Sequence, residues 1–304
     1  MKWSSSFWLM LLCGSAFADD TQTSKPIAAL QQTSGDCPAQ LSVAYNANWL
    51  PYVSVPASAQ PSLDNSANAN DTAQSFAKAE LAKAEPVNTE QSDNINDTIS
   101  GTDIELLRQI VSAVGSQVVF QFVPETRALQ QLKNGHVDLL FAASHTPVRA
   151  EYAWFSKPYR HEVNVLVVHQ DLLQLYPELM DRVAFFQLAM RKLVGTYIPT
   201  GFYGDEFELL KQNAQVSKRS LFVFEAERRL ELVLSKRADY AVVDQVATEY
   251  QWQHNQQPPP LLLLPFAVNR AAIHVMASKK TVSATCVARL DAAITKVVGS
   301  LVEK

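Results

Sequence analysis

Side chains that could carry out acid–base chemistry are few and widely separated in this chain of 304 residues. Glu125, His145 and His161 are the candidates for a general acid or base. The sequence contains no Ser-His-Asp arrangement, no His and Cys spacing typical of a metal site and no glycine-rich phosphate loop. This pattern favours a binding protein with no catalytic residues, no metal and no cofactor, and an enzyme is the less favoured alternative.

Arg149 and Asp244 are charged residues with two interpretations each. A guanidinium matches a planar carboxylate with paired donors, so Arg149 could bind a carboxylate. It could equally form a surface salt bridge to Glu151 or Glu125. Asp244 directly precedes a predicted helix that starts at Gln245, which makes it a good N-cap whatever its other role.

Two similar segments precede these charged residues and must position them. In the first, Leu129 and Leu132 are followed by Asp138 and a short apolar strand; in the second, Leu230 and Val233 are followed by Asp239 and a similar strand. An amphipathic helix that enters a strand through a tight polar turn is one α/β unit. Its reuse predicts two lobes of similar design with a cleft between them.

The wider pattern of helices and strands is α/β. Thr102 and Glu105 form a potential capping box at the start of a helix that stops at Gly115. The other predicted elements are strands at 41–45, 118–123, 137–142, 163–169, 192–197, 220–223 and 240–243, and helices at 126–134, 205–213, 226–236, 245–253 and 288–302. A stiff linker at 258–260 precedes 261–264, and the chain returns through 273–276 to the final helix. The strand at 163–169 is expected to cross from one lobe to the other.

The amino-terminal segment 1–18 has the features of a secretory signal peptide. Lys2 precedes an apolar run from Phe7 to Leu12, and Ala16–Ala18 gives a small-x-small cleavage site. The sequence predicts an exported, periplasmic protein whose mature chain starts at Asp19. Cys13 leaves lipid attachment open as an alternative. No apolar run in the chain approaches the roughly 20 residues of a membrane span.

Charge and cysteine content narrow the classes of partner. Without the signal peptide, the chain has 25 basic and 30 acidic residues, so its net charge is negative. No basic cluster is long enough to suggest binding to nucleic acid. The two cysteines that remain, Cys37 and Cys286, predict a disulfide in an exported protein. By loop entropy this bridge would contribute on the order of 5 kcal/mol as an upper bound, and it would place both ends of the chain in one lobe.

Two segments are predicted to lie outside the folded core. Residues 19–36 are a polar, flexible leader. Residues 56–100 contain no glycine, one aromatic residue, seven acids and two lysines, a composition that favours disorder. One stretch of this acidic insertion, 72–85, has high helix propensity before Pro86.

Five motifs in order give this chain its resemblance to a known family. They are Trp49–Tyr52, Gly101–Leu107, Gly135–Leu140, Thr146–Tyr159 and Ala238–Asp244. Together they resemble the family 3 periplasmic solute-binding proteins, which serve ABC transporters of polar amino acids. The resemblance covers residues 37–304 apart from the insertion.

The resemblance implies a two-lobed, type II periplasmic-binding-protein-like fold. Each lobe is a sheet flanked by helices, and two hinge strands join the lobes. Lobe 1 is expected at 37–166, lobe 2 at 167–266, and 267–304 returns to lobe 1. The implied function is capture of an amino-acid-like or carboxylate ligand by hinge closure, by a monomer that delivers it to a membrane permease. A ligand-sensing subunit for a membrane signalling partner, or a dehydratase or lyase on the same scaffold, are the alternatives.

The resemblance also assigns roles at the ligand site. Arg149 would clamp the ligand carboxylate, Asp244 would receive its ammonium group, and Trp49 would stack on its side chain, or else belong to the core. Arg127 would bind a second acidic group or pair with Glu125. The remaining predicted ligand-binding residues are Tyr52, Ser144, Thr200 and Tyr203, the last with the turn glycines Gly201 and Gly204.

Two departures from the family pattern bear on the ligand. Asn46 stands where relatives that bind basic amino acids carry an acid, so a ligand like lysine or arginine is disfavoured. Ala142 and Ala143 replace small hydroxyl or glycine residues, which reduces the polar contacts available to a ligand.

Overall fold

The structure is a computed structural model that describes residues 37–45, 49–56, 96–254 and 260–302. The predicted signal peptide 1–18, the leader 19–36, the helix at 72–85, most of the acidic insertion, and Asn46 lie outside the described residues.

One mixed sheet of eight strands runs through the molecule in the order β2-β1-β3-β8-β4-β7-β5-β6. The strands are β1 (Gln40–Tyr45), β2 (Gln117–Phe122), β3 (Leu139–Ser144), β4 (Ala153–His169), β5 (Gly195–Tyr197), β6 (Leu221–Phe222), β7 (Tyr240–Asp244) and β8 (Leu261–Ser278). Three parallel strands form each end of the sheet, and the long antiparallel pair of β4 and β8 joins the ends.

Helices cover both ends of this sheet. They are α1 (Thr102–Ala113), α2 (Glu125–Asn134), α3 (Pro147–Tyr152), α4 (Gln170–Leu175), α5 (Arg182–Arg191), α6 (Asp205–Gln212), α7 (Ala214–Arg219), α8 (Ala226–Leu234), α9 (Gln245–His254) and α10 (Ala284–Val302), with a 3₁₀ turn at Pro177–Met180. The two-lobed α/β architecture predicted from the sequence is confirmed: β4 and β8 are the hinge strands, and each lobe is one end of the sheet with its helices.

Each lobe has its own apolar core. In lobe 1, Leu41 of β1 and Leu107 of α1 are buried together with Leu290 of α10. In lobe 2, Phe185 of α5 and Tyr240 of β7 are buried in a separate cluster. Ala247 of α9 packs against the core of lobe 1, and polar residues described below also join the lobes.

The predicted disulfide between Cys37 and Cys286 is present. It joins the segment before β1 to α10, so the first and last segments that the structure describes lie in lobe 1. This agrees with the expectation that the bridge holds both in one lobe.

The start of α1 differs from the prediction. The N-cap is Gly101, at φ 119°, with no side-chain capping bond, and Thr102 is already helical. A Cβ at Gly101 would lie 2.3 Å from the Tyr52 carbonyl oxygen, so the backbone of the loop at Tyr52 takes the space of a capping side chain. The Asp103 and Thr102 amides donate to Tyr52 and Pro51 carbonyls at 3.1 and 3.0 Å instead. The predicted capping box is therefore wrong.

The predicted insertion at 56–100 includes residues that belong to the fold. Ile99 is buried in the core of lobe 1, and Ser100 pairs with Ser54 through two backbone hydrogen bonds of 2.7 and 3.0 Å. The chain therefore rejoins the folded lobe before Gly101.

Candidate functional site

The two lobes meet through polar side chains beside the hinge strands. Tyr52 of lobe 1 donates a hydrogen bond of 3.1 Å to Oδ1 of Asp244, which ends β7 in lobe 2. Arg149 of α3 donates across the cleft to the Thr200 carbonyl at 2.8 Å. The structure therefore brings Tyr52 together with Asp244, and Arg149 together with Thr200.

The aromatic loop of lobe 1 is held rigidly at this cleft. Trp49 and Val53 exchange two backbone hydrogen bonds of 2.9 Å, which close the loop into a tight turn. The rings of Trp49 and Tyr52 lie 4.7 Å apart. Since the amino-terminal amides of α1 bind this loop, the helix fixes where both rings point.

Asp244 has the capping role that the sequence predicts. Its Oδ1 accepts a hydrogen bond of 2.7 Å from the Ala247 amide in the first turn of α9. Its second oxygen, Oδ2, is buried and has no hydrogen-bond partner among the described residues. Oδ2 is therefore a buried acceptor that the described residues leave unsatisfied.

A charged network that the sequence did not reveal lies next to Tyr52. Arg160 of β4 binds both oxygens of Asp103 through Nε at 3.1 and 3.2 Å, and its Nη1 binds Glu162 at 3.3 Å. Glu162 in turn accepts a hydrogen bond of 2.9 Å from Asn164. We call Asp103, Arg160, Glu162 and Asp244 the Arg160 cluster.

The backbone at Ala142 is part of the same network. Tyr159 donates a hydrogen bond of 2.9 Å to Asp103, and its hydroxyl accepts one of 3.0 Å from the Ala142 amide. Ala142 has φ 55°, a left-handed conformation that side chains other than glycine seldom adopt and that is found disproportionately at functional sites. The β3 strand therefore bends where it meets the cleft.

Burial governs the electrostatics of the Arg160 cluster. It raises the pKa of the Asp103 and Glu162 carboxyls, against the opposing charge of Arg160. It also raises the pKa of Asp244, against the Ala247 amide and the Arg160 charge. Burial alone would lower the pKa of Arg160, but Tyr159, Asp103 and Glu162 hold it above its ordinary value. The cluster has more acids than bases and is suited to a positively charged group.

The other end of the cleft is rich in arginine. Besides Thr200, Arg149 binds the Ser144 carbonyl at 2.9 Å, while the Thr146 hydroxyl caps α3 by accepting from the Arg149 amide at 3.3 Å. Arg229 of α8 is 5% exposed and binds the Val223 carbonyl at 3.0 Å. Glu125 of α2 shares this region. We call Glu125, Arg149 and Arg229 the Arg149 cluster.

Burial also shifts the pKa values of the Arg149 cluster. It lowers the pKa of both guanidinium groups, which the Glu125 charge opposes. It raises the pKa of the Glu125 carboxyl, against the charges of Arg229 and Arg149. The charge of Glu225 also acts on Glu125 and Arg229, and that of Glu208 acts on Arg149, so this end of the cleft contains both guanidinium and carboxylate groups.

The remaining predicted site residues have different surroundings. Trp49 is half-buried at the Arg160 cluster, while Ser144 and Thr200 meet Arg149 through their carbonyls. Tyr203 lies in the core of lobe 2, where its hydroxyl accepts from the Ile198 amide at 3.1 Å and burial raises its pKa to about 12. Arg127 is exposed on α2.

The three candidates for a general acid or base lie in different places. Glu125 lies in the cleft, within the Arg149 cluster. His161 is exposed on β4, and His145 is exposed beside Phe155, with ring centres 4.7 Å apart. The structure therefore does not bring the three candidates together.

For Arg160, Glu162 and Asn164 the sequence pattern indicates a shared face of a strand, but not that this face is buried. They alternate along one strand, and residues two apart in a strand lie on the same face. Asp103 was seen only as part of a capping box. Arg229 carried no distinct signal, since adjacent arginines at 228–229 on an amphipathic helix usually lie on a solvated surface.

Other features of the described residues do not suggest a second centre. No group of three His, Cys, Asp or Glu side chains within these ranges could hold a metal ion. In the part of the chain that the structure describes, no helix has both the length and the apolar character of a membrane span. A surface groove of about 380 Å³ between α8 and α9, lined by Leu230, Leu234 and Trp252 among others, shares no residue with the two clusters.

Comparison with known proteins gives one family match. Residues 81–294 match the model of the bacterial extracellular solute-binding proteins, family 3. No curated protein matches the chain in sequence.

Solved structures share the fold at low identity. A histidine kinase sensor domain with similarity to periplasmic binding proteins has TM-score 0.58 and 17% identity, with 86% of this chain and 91% of that chain covered. The arginine-, lysine-, histidine-binding protein ArtJ from Geobacillus stearothermophilus has TM-score 0.58 and 16% identity, with 86% and 90% covered. An amino acid ABC transporter substrate-binding protein from Streptococcus pneumoniae, bound to L-arginine, has TM-score 0.55 and 16% identity, with 87% and 90% covered.

Proposed function

Since the chain belongs to the bacterial extracellular solute-binding proteins of family 3, we propose that it captures a small amino-acid-like or carboxylate ligand between its lobes. The ligand would be held by hinge closure about β4 and β8 and delivered to the membrane permease of an ABC transporter. The protein would act in the periplasm as a monomer.

The observation that carries this proposal is that one end of the cleft has a buried carboxylate oxygen with no partner among the described residues, and the other end has the Arg149 guanidinium. A zwitterion would place its ammonium group at Oδ2 of Asp244, a buried acceptor that has no partner among the described residues. Its carboxylate would lie toward Arg149, whose present acceptors are the carbonyls of Ser144 and Thr200. Exchange of a neutral carbonyl for a carboxylate strengthens a hydrogen bond to a guanidinium.

Binding can be tested on the purified mature protein with a panel of L-amino acids and small carboxylates. A ligand at 100 times its dissociation constant should stabilise the folded state by roughly 2.7 kcal/mol, seen as a rise in melting temperature. With the best ligand, Arg149→Ala and Asp244→Ala should each weaken binding at least tenfold by titration calorimetry, because each leaves a buried ligand charge unpaired.

Arg228→Ala is the matched control, since Arg228 is 59% exposed on α8 and pairs only with Glu231 in the described part of the chain. It should leave the affinity unchanged. Unaltered affinity in both Arg149→Ala and Asp244→Ala would disprove the site, and a panel without any stabilising ligand would disprove the function.

A ligand-sensing role is the second candidate. It is supported by the histidine kinase sensor domain, whose TM-score equals that of ArtJ. Capture experiments on membrane extracts with the liganded protein separate the two roles. Recovery of a permease supports transport, whereas recovery of a kinase or another signalling receptor supports sensing.

A further inference from the structure

The Arg160 guanidinium has the surroundings that a bound guanidinium ligand would require. Its Cζ lies 4.1 Å from the ring centre of Tyr52 and 5.2 Å from that of Trp49. Two carboxylates, Asp103 and Glu162, bind its Nε and Nη1. Aromatic faces and paired carboxylates are the groups that hold a guanidinium most strongly.

The guanidinium is also buried at the place where the lobes meet. The Arg160 side chain is 13% exposed and that of Asp103 is 2% exposed. Tyr52 contacts both Arg160 and, through its hydroxyl, Asp244 of the opposite lobe. The position between the two rings and the two carboxylates is therefore occupied by a side chain of the protein itself, and a second cation cannot take the same position.

One end of the guanidinium is still available to a ligand. Nη2 of Arg160 is buried and has no hydrogen-bond partner among the described residues. A buried donor of this kind is costly unless an acceptor reaches it. The acceptor would have to come from a molecule in the cleft, where Oδ2 of Asp244 also has no partner among the described residues.

We propose that Arg160 determines the ligand specificity of this cleft. Its tethered guanidinium fills a site that would otherwise accept a cationic side chain, and its Nη2 donates to an acceptor on the ligand. The ligand is then an amino acid whose side chain bears a neutral or anionic acceptor and no cation. The identity of the ligand rests on the proposed function, whereas the self-filled guanidinium site does not.

The self-filled site can be tested without the natural ligand. Arg160→Ala should empty it, and the variant should then bind agmatine, a small guanidinium compound, at least tenfold more tightly than the native protein does. The measurement is the rise in melting temperature with agmatine concentration, followed by calorimetry. 1,4-Diaminobutane, which lacks the guanidinium, should bind the variant more weakly than agmatine.

Arg108→Ala is the matched control variant. Arg108 also lies over an aromatic ring, at 5.5 Å from Phe120, and pairs with Glu105 at 3.0 Å, but it is 31% exposed and its acidic partner is 56% exposed. Agmatine should not bind this variant. The proposal is overturned if folded Arg160→Ala gains no affinity for agmatine, or if the native protein binds agmatine equally well.

If Arg160→Ala does not fold, Glu162→Gln can be added, because it removes one of the two carboxylates left unpaired. Agmatine should then still bind at Asp103, and its failure to bind would overturn the proposal.

In the native protein, L-glutamine or L-glutamate should bind at least tenfold more tightly than L-arginine or L-lysine, and the reverse order would overturn the proposal. A native protein that binds no amino acid or small carboxylate of the panel disproves the proposed function and leaves the agmatine result intact.

Discussion

At the level of single residues, the cleft concentrates buried charge around Arg160. Its guanidinium is the positive group nearest to three carboxyl groups, those of Asp103, Glu162 and Asp244. Burial raises all three pKa values more than that single charge lowers them. The ionised acids therefore destabilise the folded state, which is consistent with a site that becomes fully paired only when a ligand supplies a positive group.

The pH dependence of the stability of Glu162→Gln tests whether the ionised Glu162 carboxylate destabilises the folded state. The unfolded chain carries the ordinary glutamate pKa of 4.5, and folding raises it. Below pH 4.5 the stabilisation linked to this group is fully present, and it is lost as pH rises through the folded pKa. We therefore expect Glu162→Gln, which does not titrate, to gain stability relative to the native protein as pH rises above 4.5.

Urea unfolding across this pH range measures the difference between the two proteins. The gain should reach about 1.4 kcal/mol for each unit by which folding raises the pKa. Glu231→Gln is the control, because Glu231 is 61% exposed and its pair with Arg228 is on the surface; its difference from the native protein should not vary with pH. A difference for Glu162→Gln that shrinks as pH rises would contradict the prediction.

The sequence located part of this site because some residues have local signatures. Asp244 was predicted as a helix cap from its position before Gln245, and the cap is present. Arg160 was not predicted as a site residue, since an arginine in a strand has no local feature that distinguishes a buried ion pair from a solvated side chain. Its partner Asp103 lies 57 residues away, and only the fold brings the two together.

At the level of elements, the two helix-turn-strand units predicted from the sequence use their aspartates alike. Asp138, before β3, accepts hydrogen bonds of 2.8 and 2.7 Å from the amide and hydroxyl of Ser42 in β1. Asp239, before β7, accepts one of 2.7 Å from the Val194 amide before β5. Each aspartate ties the start of its strand to the neighbouring parallel strand, so it helps to fix the register in its lobe.

Substitution of Asp138 and Asp239 by alanine should lower the free energy of unfolding by different amounts. A hydrogen bond to a charged group contributes about 1.5–3 kcal/mol. We expect Asp138→Ala, which loses two, to lower the free energy of unfolding by about 3 kcal/mol or more, and Asp239→Ala by about 2 kcal/mol. Equilibrium urea unfolding provides both values.

Asp205→Ala is the control, because Asp205 is exposed in the first turn of α6 and should cost less than about 1 kcal/mol. Equal or reversed losses for Asp138→Ala and Asp239→Ala would show that the two turns do not stabilise the sheet through these bonds.

Elements with a regular pattern were predicted well, and the long hinge strands were not. The sequence indicated a strand at 163–169, whereas β4 extends over 17 residues, Ala153–His169. Pro158 within it usually argues against a strand, but here it lies at an irregularity in the pairing with β8, where proline is tolerated. Helix α5 was missed because Phe185 and Phe186 are consecutive and both buried, which does not give a single apolar stripe.

At the level of the whole molecule, the disulfide stabilises one lobe, whereas noncovalent contacts and the hinge strands join the two lobes. The bridge between Cys37 and Cys286 connects residues 249 apart and lies within lobe 1. It constrains the chain ends by loop entropy and leaves the relative position of the lobes to the hinge strands and the cleft contacts. In the proposed hinge closure, the hydrogen bonds of Tyr52 with Asp244 and of Arg149 with Thr200 would have to break for the lobes to open.

Removing both cleft contacts should shift the protein toward an open form in solution. Each is a hydrogen bond with one charged partner, at 3.1 Å for Tyr52 and 2.8 Å for Arg149, and contributes about 1.5–3 kcal/mol to closure. Tyr52→Phe combined with Arg149→Leu should then favour the open form at least tenfold relative to the native protein, since about 1.4 kcal/mol corresponds to a factor of ten.

Small-angle X-ray scattering without added ligand measures this shift as a larger radius of gyration for the double variant. Tyr250→Phe is the control, because Tyr250 stacks on His254 within α9, with ring centres 4.1 Å apart, and takes no part in the cleft contacts described. Identical scattering from the native protein and the double variant would mean that packing beside the hinge strands holds the lobes together. The polar groups of the cleft would then serve ligand recognition alone, and the affinity for a ligand would not include the cost of breaking contacts between the lobes.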